Sequence, residues 1–199
     1  MSLDCRSIKA VVFDLDNTLV SSSLNFASIR ADIGCPSEDD LLSFADNLDC
    51  SLQRTNVHQT IVSHEMSDAH SAELIEGCQE FLTHLKSANL YTGIVTRNCI
   101  KAATLKLDRL KLDVNELICR EHFPPKPAPD SLLALAKHWS LQVSEVLYVG
   151  DYLYDIQAAN NANMPSCLIT HDNQPDYAHL ATISVPQLTD LHRLFASNQ

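Results

Sequence analysis

"KAVVFDLDNTLV", Lys9 to Val20, opens on an unbroken apolar run, Ala10–Phe13, and then sets two carboxylates, Asp14 and Asp16, around a single leucine. Continuous apolar runs of this kind mark strands buried on both faces of a parallel sheet. Carboxylates at the end of such a strand are costly unless something pairs with them. The pair implies a metal, a substrate or an unusually polar loop, and the rest of the chain has to decide among them.

Further strand-like runs lie at residues 91–95, 146–149 and 166–169, with weaker ones at 117–119 and 181–185. Helical patterns fall between them. In "CQEFLTHLKSAN", Phe81, Leu82 and Leu85 share a face; in "CIKAATLKLDRL", Ile100, Thr104, Leu107 and Leu110 do so roughly. "DSLLALAKHW" stripes Leu132, Leu133, Ala136 and Trp139, with Asp130 or Ser131 as N-cap. Strands alternating with helices predict an α/β fold built on a doubly wound parallel sheet. Residues 21–74 break the rhythm with helical patterns alone, in "DLLSFADNLDC" and "NVHQTIVSHEM". They predict a small all-helical cap inserted after the first strand, with residues 1–20 and 75–199 forming the core.

With 199 residues, 45% of them hydrophobic, the chain can bury one substantial core. A formal net charge of −11 argues against nucleic-acid binding, which needs clustered Lys and Arg. Any anionic substrate must therefore be attracted locally. Seven scattered cysteines without a C-x-x-C pair fit reduced thiols better than disulfides or a zinc site. The N-terminus lacks a signal-peptide core, and no stretch approaches the ~18 apolar residues of a membrane span. The expectation is a soluble cytoplasmic protein, with neither membrane nor nucleic acid as partner.

Polar clusters begin where strand-like runs stop. Asp14 and Asp16 follow the first run; Thr96, Arg97 and Asn98 follow "YTGIV"; Asp151 and Asp155, in "VGDYLYD", follow "VLYV". Lys126 sits in the proline-stiffened "FPPKPAPD". Ligands of doubly wound sheets bind beyond the carboxyl ends of the strands, so neighbouring strands would bring these clusters to one cleft. Crowded carboxylates cannot all ionise without a cation, and oxygen-only ligands favour Mg²⁺. A lysine, a threonine hydroxyl and turn amides suit phosphate oxygens. One aspartate of the opening pair can then attack phosphorus while the other shuttles a proton.

"DLDNTL", "IVTRN", "KPAP" and "GDYLYD", in this order, resemble the four motifs of the haloacid dehalogenase-like (HAD) hydrolases, and the flanking sequence resembles their phosphoglycolate phosphatase and beta-phosphoglucomutase branch. The resemblance implies Asp14 as nucleophile, Asp16 as general acid/base, and Thr96 and Lys126 as phosphate holders, with Lys126 also neutralising Asp14. It further implies that Asp14, the Asp16 carbonyl and Asp151 hold Mg²⁺, with Asp155 supporting the site directly or through water. Arg97 and Asn98 are candidate substrate contacts beside Thr96. Asp16 favours phosphate ester hydrolysis, since an oxygen leaving group needs an acid and a halide does not. Asn17 and Asn163 stand where the family often has glycine, and both residues tolerate a left-handed backbone.

Arg30 and Arg54 are the arginines of the cap segment, and His58, His64 and His70 are spaced too widely to share a helix face as metal ligands. The expected activity is a Mg²⁺-dependent phosphatase of small phosphate monoesters. The alternatives are a phosphomutase using the same Asp14 chemistry and a catalytically idle binding protein with the same fold.

Overall fold

The computed structural model describes residues 3–197. The strands are β1 (Ala10–Phe13), β2 (Tyr91–Val95), β3 (Glu116–Ile118), β4 (Val146–Gly150), β5 (Ser166–Ile169) and β6 (Ile183–Val185). They form one parallel sheet in the order β3-β2-β1-β4-β5-β6, with β1 between β2 and β4. Every residue of β1 is buried, as its unbroken apolar run requires.

Side chains alternate across the sheet. Val11 and Phe13 face one core with Phe81, Leu85, Leu188 and Phe195, which are carried by α4 (Cys78–Ser87) and α8 (Leu188–Ala196). Ala10 and Val12 face the other core with Leu132, Leu135, Ala158 and Ala159, carried by α6 (Asp130–His138) and α7 (Leu153–Asn161). The predicted face of α4 is therefore present. In α6 the buried row runs through Leu132, Leu135 and Ala136, and Leu133 is exposed. Pro129, not Asp130 or Ser131, occupies the N-cap position, because proline's fixed φ already starts the turn.

Between β1 and α4 the chain forms α1 (Phe26–Ile33), α2 (Leu41–Asp46) and α3 (Ser51–Ser71), with a small core of their own around Ile29, Leu41, Leu42, Ala45 and Ile61. α3 lies against α5 (Ile100–Leu110). That contact shifts the buried row of α5 from the expected Ile100 and Thr104 to Ala102, Ala103 and Lys106. Ala102 packs beside Ala69 of α3 while Ala103 faces the sheet core. Among the described residues no helix is long and apolar enough to cross a membrane.

Candidate active site

Because β1 is flanked by β2 and β4, the polar sequences that follow these strands share one end of the sheet. A cavity of about 390 Å³ opens there, lined on the sheet side by Asp14, Asp16, Thr96, Lys126, Asp151 and Asp155, and on the other by Leu24, Phe26, Ile29 and Ile61. The sequence-predicted residues converge.

Lys126 is the hub. Its buried ammonium donates to Asp14 Oδ1 at 2.5 Å, Asp155 Oδ1 at 2.6 Å and the Tyr148 hydroxyl at 2.9 Å. Tyr148 donates in turn to Asp155 Oδ1 at 3.0 Å, with the Val95 carbonyl oxygen at 3.3 Å. Asp155 lies in the first turn of α7, where its Oδ2 accepts the Tyr152 N–H at 3.0 Å, a pairing favoured at a helix N-terminus. It can come so close to β4 only because residue 150 is glycine: a Cβ there would stand 2.5 Å from Asp155 Cβ. Asp14, Asp151 and Asp155 each offer a carboxylate oxygen within 4.8 Å of the others.

One buried ammonium cannot balance three carboxylates. Burial pushes Asp14 up to about 7, with Lys126 opposing and the Asp155 and Asp16 charges adding to the rise. Burial, then Asp14 and Asp155, push Asp151 up to about 8. Burial disfavours the Lys126 ammonium, but Asp14 and Asp155 outweigh it and hold its pKa high. The donor set is all oxygen and short of positive charge, so the residues fit a hard divalent cation.

Asp16 is held on its other side. Its Oδ2 accepts from Asn98 Nδ2 at 2.5 Å, and its Oδ1 accepts from the Lys106 ammonium. Asn98 Nδ2 also donates to Thr96 Oγ1 at 3.0 Å, and Thr96 Oγ1 accepts the Asn98 N–H at 3.1 Å. Thr96 therefore orders the turn after β2 and does not cap α5, where Cys99 is the N-cap. Arg97 donates to the Lys126 carbonyl at 3.1 Å and to Asp40 Oδ2 at 2.5 Å, and its guanidinium lies 4.8 Å from the centre of the Tyr154 ring. Asp40 caps α2, so Arg97 ties the helical segment to the site.

The haloacid dehalogenase-like hydrolase model matches residues 22–169. The chain belongs to the haloacid dehalogenase-like hydrolase family. It is 27% identical over 186 residues to the N-acetylmuramic acid 6-phosphate phosphatase of Pseudomonas putida, covering 82% of this chain and 83% of that one. It is 29% identical over 182 residues to the phosphoglycolate phosphatase of Xanthomonas campestris, covering 81% and 82%. A hydrolase of Pseudomonas syringae shares the fold, with a TM-score of 0.77 at 24% identity, covering 95% of this chain and 98% of that one.

Within this HAD hydrolase, Asn17 and Asn163 adopt the left-handed backbone that their glycine-like positions suggested, with φ of 55° and 56°. The other candidates are engaged locally: Arg54 with the Asp46 and Leu48 carbonyls, Arg30 with the Pro36 and Asp39 carbonyls, His58 with Asp46, and His64 with Asp32. The loop after Thr170 reaches the site's rim, where a His171 ring nitrogen stands 2.7 Å from the Asn17 carbonyl oxygen. Sequence reasoning missed Tyr148, Gly150, Lys106, Glu65 and Asp68. Glu65 and Asp68 occupy the buried row of α3 begun by Ile61, at i+4 and i+7. Charges on a buried row must find partners, and here these are Arg120 and Lys106. That misplaced charge is a signal the sequence did carry.

Proposed function

We propose that this protein is a Mg²⁺-dependent phosphatase that hydrolyses a small phosphate monoester through an aspartyl-phosphate on Asp14. The carrying observation is Lys126 placed between Asp14 and Asp155 while Asp151 completes a trio of carboxylates. Asp14, Asp151, Asp155 and the Asp16 backbone carbonyl would hold the ion. When bound, it supplies positive charge that draws a phosphate dianion onto an otherwise acidic site.

Asp14 then bonds to phosphorus as the ester P–O bond breaks, and a proton from the Asp16 carboxyl passes to the leaving oxygen. In the second half Asp16 takes a proton from water, the water oxygen bonds to phosphorus and the Asp14–P bond breaks. Lys126 keeps the attacking carboxylate from repelling the phosphate, and Thr96, with Arg97 and Asn98 beside it, faces the phosphate oxygens. Residues 21–74 act as a cap that excludes water from the cavity, and residues 1–20 with 75–199 form the core. The cavity volume suits a metabolite of modest size.

The mutase alternative needs a second phosphate-holding cation. Arg97 and Arg30 are each already committed, Arg97 to Asp40 and Arg30 to backbone carbonyls, which favours hydrolysis. The test is phosphate release from a panel of phosphorylated metabolites, with Mg²⁺ or with chelator, by wild type and Asp14→Asn. Hydrolysis that needs Mg²⁺ and disappears in the variant supports the proposal; Mg²⁺-dependent release surviving in Asp14→Asn overturns it.

A further inference from the structure

Lys106 has no part in the chemistry described so far, yet it is wholly buried on α5. A lysine is almost never buried unless paired, and replacing such a pair with apolar residues often leaves a fold no less stable. Folding alone is thus a weak reason for a charge at this place. Its partners are more informative. The ammonium donates to Asp16 Oδ1 and, at 2.7 Å, to Asp68 Oδ2. Asp68 is where the two connections to the helical segment meet: α3 carries it, and it accepts from Ser23 N at 2.5 Å, Ser23 Oγ at 3.0 Å and Ser22 Oγ at 3.2 Å. Asn98 holds the other oxygen of Asp16.

We infer that Lys106 is a positioning residue: it sets the direction of the Asp16 carboxyl group and ties it through Asp68 to the connections of the helical segment. This rests on the proposed acid/base role of Asp16. Asp16 must aim one oxygen at the departing ester oxygen to deliver its proton, and two donors from different elements, Lys106 and Asn98, fix that aim. Without Lys106 the carboxyl group is free to turn about its side-chain bonds, and the proton transfer loses its geometry while attack by Asp14 does not.

The test compares p-nitrophenyl phosphate, whose leaving group departs without protonation, with phenyl phosphate, whose leaving group needs the proton. Wild type, Asp14→Asn, Lys106→Met and the double variant Lys106→Met/Asp68→Asn are assayed with Mg²⁺. The double variant removes the buried charge that Lys106 neutralises while keeping an acceptor for Ser22 and Ser23, so it guards against a single variant that fails to fold. The expected result is that kcat/KM, which reports the step in which the leaving group departs, falls about tenfold more for phenyl phosphate than for p-nitrophenyl phosphate in whichever Lys106 variant folds, a share of the usual worth of general acid catalysis. Equal losses on both esters, no loss on either, or failure of both variants to fold assigns Lys106 to the fold alone and overturns the inference. Failure of the phosphatase proposal looks different: wild type would turn over neither ester, or Asp14→Asn would keep its activity, and the inference would fall with it.

Discussion

A Cβ placed on Gly150 would stand 2.5 Å from both Cβ and Oδ2 of Asp155, so the backbone at the end of β4 and the carboxylate that Lys126 grips occupy adjoining space with no room for a methyl group. Gly150→Ala must displace Asp155. Overpacking of this kind costs ~1–3 kcal/mol. Asp155 also helps frame the acidic trio, so the variant is expected to lower the urea midpoint and, if the proposed Mg²⁺ site is as described, to lose most of any stabilisation that added Mg²⁺ gives wild type. Urea denaturation of wild type and variant, with and without a large excess of added Mg²⁺, checks both.

Removing Lys126 leaves Asp14 and Asp155 buried without their cation. Breaking a buried pair from one side costs ~3–5 kcal/mol. Lys126→Met is expected to be less stable at pH 8 than at pH 5.5, because Asp14, which burial already pushes up to about 7, loses the charge that opposed the rise and is neutral at the lower pH. It is also expected to lose phosphate-releasing activity by about 10²-fold or more, since it removes a fixed charge beside the reacting group. Melting curves at the two pH values and a steady-state assay decide it.

Asp14 and Asp151, at about 7 and about 8, lie well above the usual carboxylate range. The folded chain therefore binds more protons than the unfolded chain between about pH 4 and pH 8, and stability without divalent ions must fall as pH rises through that window. Asp68 works the other way at the acid end: burial opposes its ionisation, but Lys106 and Ser23 outweigh it and hold its pKa low, so its contribution is lost as pH drops below the ordinary carboxylate range. The melting temperature of the metal-free protein is expected to decline from pH 5.5 to 8.5, Asp151→Asn is expected to flatten the decline, and Mg²⁺ is expected to raise the melting temperature more at pH 8 than at pH 5.5. A scanning series across pH, with and without Mg²⁺, measures all three.

Arg97 joins Asp40, the Lys126 carbonyl and the Tyr154 ring across the cavity. Both ends of its ion pair are partly exposed, so Arg97→Met is expected to cost under ~1 kcal/mol of stability. Loosening the helical segment over the site should raise KM while kcat holds. Kinetics on a substrate found in the metabolite panel test that split; a fall in kcat at unchanged KM would instead make Arg97 part of the chemical step.

The legibility of this protein in its sequence was uneven for physical reasons. Strands buried on both faces cannot tolerate polar residues, so β1 and β4 announce themselves as apolar runs, and their carboxylates appear at once where burial ends. That made Asp14, Asp16, Asp151 and Asp155 visible as candidates, and the proline frame did the same for Lys126. Tyr148 was hidden because an aromatic residue in a strand reads as core; only the position of its hydroxyl beneath Lys126 separates it from Phe. Lys106 was hidden because helices usually turn lysine to solvent, and its burial depends on α3 packing across α5. The same packing moved the buried row of α5 away from Ile100 and Thr104.

By itself, then, the sequence determined what short-range periodicity and the intolerance of a buried strand for charge can carry: the parallel α/β core, the helical stretch after the first strand, and the strand ends at which chemistry gathers. Only the tertiary structure decided the partnerships. Asp16 meets Asn98 82 positions away and Lys106 90 positions away, and Lys126 meets Asp14 across 112. No local pattern encodes such distances, because they are set by the order in which the strands pair and by the helix that packs over them.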